Sequence, residues 1–142
     1  MLYAKRLWFL FALIFITPLG WADDHATCSL DTIKGDYGFV STVRAPVTKN
    51  QAAERTRLRF IGLISYDGVG NASVSGVTVT SGQTSSYVDS GVYKVDAAHC
   101  TGSVTFEKGK SKWAFVIVSS GNELLTIVQG IPDTTPFSQK KR

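Results

Sequence analysis

Short runs of alternating apolar and polar residues recur along the chain at intervals of about 10 to 15 residues. Gly, Asn, Asp or Ser residues separate these runs, and no stretch of useful length has the period of an amphipathic helix. A period of two places successive side chains on opposite faces of a strand. The pattern predicts seven strands, at residues 35–43, 57–66, 71–80, 86–95, 101–107, 112–118 and 123–129.

The connections between these runs have the composition of tight hairpins. Residues 67–71 read Asp-Gly-Val-Gly-Asn, Gly109 lies in a short link, and residues 120–122 read Ser-Gly-Asn. Consecutive hairpins predict an antiparallel meander. Residues 44–56 form the longest connection, and we expect a loop there that caps one end of the domain.

Several of the predicted strands are apolar on both faces. Residues 113–118 are the clearest case, and an antiparallel strand of this kind needs a second layer or a packed lumen. Gly62, Gly76 and Gly91 interrupt the strand patterns, and the alternation changes phase between Val74 and Val77. Such glycines are typical of bulges and sharply coiled strands. The pattern therefore favours a small closed barrel over a flat sandwich.

The first 22 residues have the three-part pattern of a secretory signal peptide. Lys5 and Arg6 form a short positive region, residues 7–16 are an unbroken apolar run, and Gly20 and Ala22 place small residues before a cleavage site. An apolar run of about ten residues spans only half of a bilayer core, which disfavours an uncleaved anchor. We expect an exported protein, periplasmic or secreted, that contacts a membrane only through its cleaved leader.

The two cysteines, Cys28 and Cys100, both follow the predicted leader. An oxidising compartment lets disulfides persist, so we expect one Cys28–Cys100 bridge. With His25 and His99 they are the only thiol or imidazole ligands, and no metal-binding spacing occurs, so we predict no metal. Cys100 beside His99 also resembles the nucleophile and base of a thiol enzyme. Adjacent residues of a strand point to opposite faces, which disfavours thiol catalysis by this pair.

The charge of the chain is modestly basic. The formal net charge is +4, and removal of Lys5 and Arg6 with the leader lowers it to about +2. Most of the remaining cations cluster at Arg55, Arg57 and Arg59, at Lys108, Lys110 and Lys112, and at Lys140, Lys141 and Arg142. Nucleic-acid binding requires a larger charge and interleaved exposed aromatic side chains, so we expect solvated strand faces and no nucleic-acid partner.

Four short motifs resemble those of a set of small exported bacterial proteins related to the allene oxide cyclase barrel, which is lipocalin-like. They are IKGDYGF at 33–39, YDGVGN at 66–71, SGVYKV at 90–95 and CTG at 100–102. Tyr66 stands where the set usually has Phe, and His99 where it usually has Asp. The resemblance implies an eight-stranded barrel with an apolar interior that holds one small ligand or is filled by its own side chains.

Cyclases with this type of barrel act on a bound polyene without a metal or a covalent cofactor, so the resemblance implies no cofactor. The sequence contains no nucleophile elbow and no phosphate-binding loop. If the lumen binds a ligand, the candidates are the inward-phased aromatic residues Tyr37, Phe39, Phe60, Tyr66, Tyr87, Tyr93, Trp113 and Phe115. Core packing alone also explains each of them.

The predicted organisation is a signal peptide at 1–22, an all-β barrel domain at 23–130 with seven strands plus one short strand or eight in all, and a flexible basic tail at 131–142. We expect a binding module for a small hydrophobic ligand or a protein partner. The alternative is a cofactor-independent cyclase or isomerase that acts on an apolar substrate in the lumen. A third possibility is self-association through the outward valines Val88, Val92, Val116 and Val118.

Overall fold

The computed structural model of the protein describes residues 27–46, 55–131 and 134–142. Eight antiparallel strands follow one another in sequence order and close into a barrel. They are β1 (Gly35–Pro46), β2 (Arg55–Tyr66), β3 (Asn71–Thr80), β4 (Gln83–Asp96), β5 (Thr101–Phe106), β6 (Lys112–Val118), β7 (Glu123–Gln129) and β8 (Phe137–Lys141). The predicted antiparallel meander barrel with one disulfide is confirmed.

Three of the predicted strands have the bounds of the observed ones, and the other four differ by a few residues at their ends. The predicted loop at 44–56 is wrong in extent, because β1 continues to Pro46 and β2 begins at Arg55, with Pro46 paired to Arg55. Hydrogen bonding between the two strands continues past the point where the apolar alternation fades. Residues 47–54 lie outside the described residues, as does the predicted leader at 1–22.

The segment 131–142 contains the strand that closes the barrel and is not a flexible tail. β8 pairs with β7 from Glu123 to Thr126 and with β1 from Tyr37 to Phe39. The prediction failed because the inward face of β8 holds only three residues, and the third, Lys141, lies opposite Tyr37 and is exposed. Phe137 and Gln139 are both buried, and the exposed lysines beside them gave the segment its polar appearance.

The predicted change of phase in β3 is also absent. The pairing of β2 with β3 runs without interruption from Leu58↔Thr80 to Tyr66↔Ala72. Gly62 and Gly76 lie opposite each other in this register, and Val77 is an outward-facing apolar residue. The glycines make room inside the barrel and do not mark a bulge.

The two ends of the barrel differ. One end carries the turns after β2, β4 and β6, and the segment before β1 lies across it. Cys28 is joined to Cys100 by the disulfide, the Tyr93 hydroxyl donates to the Leu30 carbonyl oxygen at 3.1 Å, and Ile33 is fully buried. We call this the plugged end. None of the helical segments in the described residues has the length and apolarity to cross a membrane.

The opposite end, which we call the cavity end, carries the connections after β1, β3, β5 and β7. The walls are unequal there, because β1 to β4 have 10 to 14 residues whereas β5 to β8 have 5 to 7. The long strands therefore extend beyond the short ones on one side of this end.

Candidate functional site

All eight aromatic residues that the sequence predicts for the lumen lie inside the barrel. Six of them are buried, and Phe60 and Tyr87 are partly buried. The barrel divides them into two groups of four. Tyr37, Tyr66, Tyr93 and Phe115 lie towards the plugged end, whereas Phe39, Phe60, Tyr87 and Trp113 line a cavity at the other end.

The tyrosines towards the plugged end use their hydroxyl groups to hold the structure together. The Tyr37 hydroxyl donates to the Gly121 carbonyl oxygen, and Tyr66 donates to Gln139 Oε1 at 3.2 Å. The Tyr93 hydroxyl accepts from the Gly68 N–H at 2.9 Å while it donates to Leu30. Each of these hydroxyls has a protein partner, so packing of the core is sufficient to explain this group. None of the three hydroxyls is left to bond to a ligand.

The cavity has a volume of about 250 Å³. Its aromatic lining comes from the four predicted residues and from Phe106, and its aliphatic lining includes Val43, Val74 and Val128. An apolar cavity on the order of 150 Å³ already accommodates a benzene molecule. This cavity therefore has room for a molecule of about two fused rings.

Edge-to-face ring contacts form one side of the cavity. Trp113 lies 5.4 Å from Phe39 and 4.9 Å from Phe106, both as ring-centroid distances, and Phe137 packs against it at 5.5 Å. Phe60 and Tyr87 make a second edge-to-face pair at 6.1 Å. These contacts fix the rings against one another, so the lining is preformed.

A row of inward positions crosses four strands beside this cavity. Phe39 pairs with Gly62, Gly62 with Gly76, and Gly76 with Tyr87. A Cβ atom at Gly62 would lie 2.8 Å from the Tyr87 hydroxyl and 3.2 Å from the Phe39 ring. The two glycines therefore provide the space into which the flanking aromatic rings lean.

Two polar side chains of the cavity have no protein partner. The Ser41 hydroxyl and the Tyr87 hydroxyl are the only buried side-chain nitrogen or oxygen atoms of the described residues that lack a hydrogen bond. Both residues line the cavity. Burial raises the pKa of Tyr87 to about 12, so its hydroxyl stays protonated at neutral pH and is able to donate a hydrogen bond.

Asp89 brings a carboxylate to the same cavity although it is only 8% exposed. Its Oδ1 accepts the N–H groups of Ser90 at 2.8 Å and Lys108 at 3.0 Å, and its Oδ2 accepts that of Gly109 at 2.8 Å. Desolvation raises the pKa of Asp89, but these donors together outweigh it and hold the pKa below its usual value. The group is ionised at neutral pH and ties the β5–β6 hairpin to β4.

The lining residues that the sequence prediction missed include Ser41, Asp89 and Phe106. Ser41 comes two positions after the inward-facing Phe39, and Phe106 comes two positions after the inward-facing Val104. The alternation of the strands therefore predicts that both point inward. Asp89 is also in phase with Tyr87, but its role depends on N–H donors about twenty positions later in the chain.

The outer face of the barrel carries the valines that were predicted for self-association. Val88, Val92 and Val116 are exposed, and Val118 is partly buried. Val92 pairs with Thr105 on β5, whereas Val116 pairs with Thr101 two rows away. Polar residues thus separate the valines of β4 from those of β6, and the four do not form one continuous strip.

Outside the cavity, the described residues include one close pair of ionisable side chains. His99 Nδ1 lies 2.8 Å from Asp96 Oδ2, and both side chains are largely exposed. Within the described part of the chain, no group of three or more His, Cys, Asp or Glu side chains is placed to hold a metal ion.

Besides the geometry of the cavity, similarity to known proteins is a source of functional information. Comparisons with protein-family models, with curated proteins and with solved structures found no match.

Proposed function

We propose that the protein is an exported binding module whose barrel holds one small, mainly apolar molecule in the cavity lined by Phe39, Phe60, Tyr87 and Trp113. The observation that carries this proposal is the cavity of about 250 Å³ with a preformed aromatic lining. An exported barrel of this type agrees with the predicted leader, and the Cys28–Cys100 disulfide is compatible with an oxidising compartment.

The size of the cavity sets an expected affinity. A ligand of roughly 12 non-hydrogen atoms that gains about 0.5 kcal/mol per atom binds with about 6 kcal/mol, which corresponds to a Kd on the order of 50 µM. Affinities in the micromolar range are therefore the expectation.

The first experiment needs no guess at the ligand. The full chain is expressed in its own host, the exported form is purified, and native mass spectrometry records its mass before and after denaturation. A cut after Ala22 is expected, together with a stoichiometric apolar molecule that denaturation releases. An uncleaved chain would contradict the proposed export.

A matched pair of variants connects binding to the cavity. Val128→Phe fills space inside the cavity, whereas Val92→Phe makes the same change on the outer face of β4. We expect the first variant to lose the bound molecule or the binding of added naphthalene, and the second to keep it. If neither the native molecule nor naphthalene binds the wild-type protein, the proposed function is wrong.

The second candidate is a cofactor-independent cyclase or isomerase, favoured by the unpaired Tyr87 hydroxyl, which is placed to polarise a substrate oxygen. Asp89 counts against it, because three backbone N–H groups hold its pKa below the usual value and make it a weak base, and the described lining of the cavity contains no other carboxylate or imidazole. An isomerase would return a released molecule with unchanged mass and altered chromatographic retention, whereas a binding module returns it unaltered.

A further inference from the structure

The two unpartnered hydroxyl groups bear on what kind of molecule the cavity takes. Buried polar groups in folded proteins are almost always hydrogen-bonded, so each exception requires an explanation. Ser41 is 4% exposed, and its hydroxyl and that of Tyr87 are the two exceptions in the described part of the chain. Both line one cavity, which points to a partner inside it.

The register of β1 and β2 brings the two hydroxyls to the same wall. The Tyr87 hydroxyl lies over Gly62, which pairs with Phe39, and Ser41 is the next inward residue of β1 after Phe39. Diagonal neighbours on one face of a sheet are about 7–8 Å apart. A ligand whose polar end lies at this wall is therefore able to bond to one hydroxyl or the other.

The charge in the cavity restricts the polar end further. Asp89 is ionised and shares the lining with both hydroxyls. Backbone N–H groups already fill three of the roughly four acceptor positions of its two oxygens. It still repels a negative charge, and this repulsion is strong where water is excluded. A carboxylate or phosphate end is disfavoured.

A cation is the other class that an aromatic cavity with a carboxylate attracts. The ring geometry does not favour it here, because a cation binds over ring faces. Trp113 packs edge to face against Phe39, Phe106 and Phe137, and Tyr87 against Phe60 in the same way. In each of these pairs the edge of one ring covers one face of the other, so fewer faces are left to form an open cage.

We propose that the ligand is a neutral molecule of about two fused rings in size that carries a carbonyl-type acceptor oxygen, which accepts a hydrogen bond from the Tyr87 or the Ser41 hydroxyl. This inference rests on the proposed binding function and specifies the ligand class of the same cavity. The apolar body of the molecule lies against Phe60, Phe106 and Trp113, and its oxygen lies at the β1–β2 wall.

Four probes with one ring system and different end groups test the proposal. They are naphthalene, 2-acetylnaphthalene, 2-naphthoate and 2-naphthyltrimethylammonium, and equilibrium dialysis of each against the full-length exported protein gives the affinities. A hydrogen bond to a buried acceptor contributes roughly a fivefold gain in affinity. We expect 2-acetylnaphthalene to bind at least about fivefold more tightly than naphthalene, and 2-naphthoate to bind the least tightly.

Three variants assign this preference to the hydroxyls. Tyr87→Phe and Ser41→Ala each remove one donor, and at least one of them is expected to reduce the preference for the ketone over naphthalene. Tyr66→Phe is the control, because its hydroxyl donates to Gln139 and does not line the cavity. This control should keep the preference of the wild type.

The outcomes separate the two proposals. If naphthalene binds and the ketone binds no better, or if both hydroxyl variants keep the ketone preference, the acceptor inference is wrong while the binding function stands. If 2-naphthyltrimethylammonium or 2-naphthoate binds most tightly, the inference of a neutral ligand is overturned. If none of the four probes binds, the inference is wrong, and the binding function fails with it when native mass spectrometry also finds no bound molecule.

Discussion

Replacing Tyr87 by Phe removes a single oxygen atom from a position where no described protein group bonds to it. The folded protein loses no hydrogen bond in this change and no longer buries an unpaired hydroxyl. Leaving a buried polar group unpaired costs about 1–3 kcal/mol, part of which the substitution recovers. We therefore expect Tyr87→Phe to be between unchanged and about 1 kcal/mol more stable than the wild type.

The same change at Tyr66 has the opposite expected sign. Tyr66 donates to Oε1 of Gln139, which is fully buried and donates through Nε2 to Thr126 Oγ1 at 2.9 Å. Tyr66→Phe leaves the amide oxygen unpaired and should cost about 1–3 kcal/mol. Both phenols are protonated at pH 7, because burial raises their pKa values. Only hydrogen bonding then distinguishes the two substitutions.

Urea unfolding of ligand-free protein at pH 7, with the disulfide intact, measures this difference. A gap of about 2 kcal/mol between the two variants separates their midpoints by roughly 1–2 M, since the urea dependence for small domains is about 1–2 kcal/mol per M. The reasoning fails if Tyr87→Phe lowers the midpoint as much as Tyr66→Phe does, because the Tyr87 hydroxyl would then have a stabilising partner.

Three further predictions concern the barrel wall and its charges. Gly76→Ala should lower the free energy of unfolding by about 2–3 kcal/mol in chemical denaturation, because its Cβ would meet the Ile61 carbonyl oxygen and lie 2.7 Å from the Gly62 Cα. Gly38→Ala is the control and should leave the stability unchanged, since a Cβ atom there has nothing within 4 Å. Asp89 has a lowered pKa in the folded state, so its ionised form stabilises the protein above about pH 4 and this contribution is lost as the pH falls further. The stability gap between wild type and Asp89→Asn should therefore be largest at pH 7 and shrink towards pH 3 in urea titrations, and a constant gap would contradict it. Arg57→Glu should stabilise the protein at low salt by about 0.2–1 kcal/mol, because Arg57 lies directly opposite Arg44. Thermal unfolding should show a raised melting temperature at low salt and no gain at 1 M salt.

The alternation of apolar and polar residues was sufficient to predict most of the barrel. Tyr37, Phe39 and Trp113 are apolar or aromatic at strictly inward phase, and their direction follows from a period of two without knowledge of any neighbour. The same reasoning did not predict β8, because this strand is short and its two buried side chains are one Phe and one Gln. Gln139 is buried only because Tyr66 and Thr126 supply its hydrogen bonds.

The division of the lumen into a filled half and a hollow half was not readable from the sequence. It depends on the segment before β1, which crosses one end through the Tyr93–Leu30 hydrogen bond and the disulfide. The sequence presents Tyr87 and Tyr93 as equivalent inward tyrosines of one strand. Only the three-dimensional arrangement gives the second one two hydrogen-bond partners and leaves the first with none.

The pairing of β8 with β1 also determines when the protein is able to fold. Tyr37 lies opposite Lys141, so the barrel cannot close until Phe137–Lys141 has been synthesised. Before that moment β1 and β7 each present an unpaired edge, and contacts between such distant positions form slowly. A chain whose last strand has not yet been made thus has an open sheet in place of a closed barrel, and the final strand pairs both free edges at once.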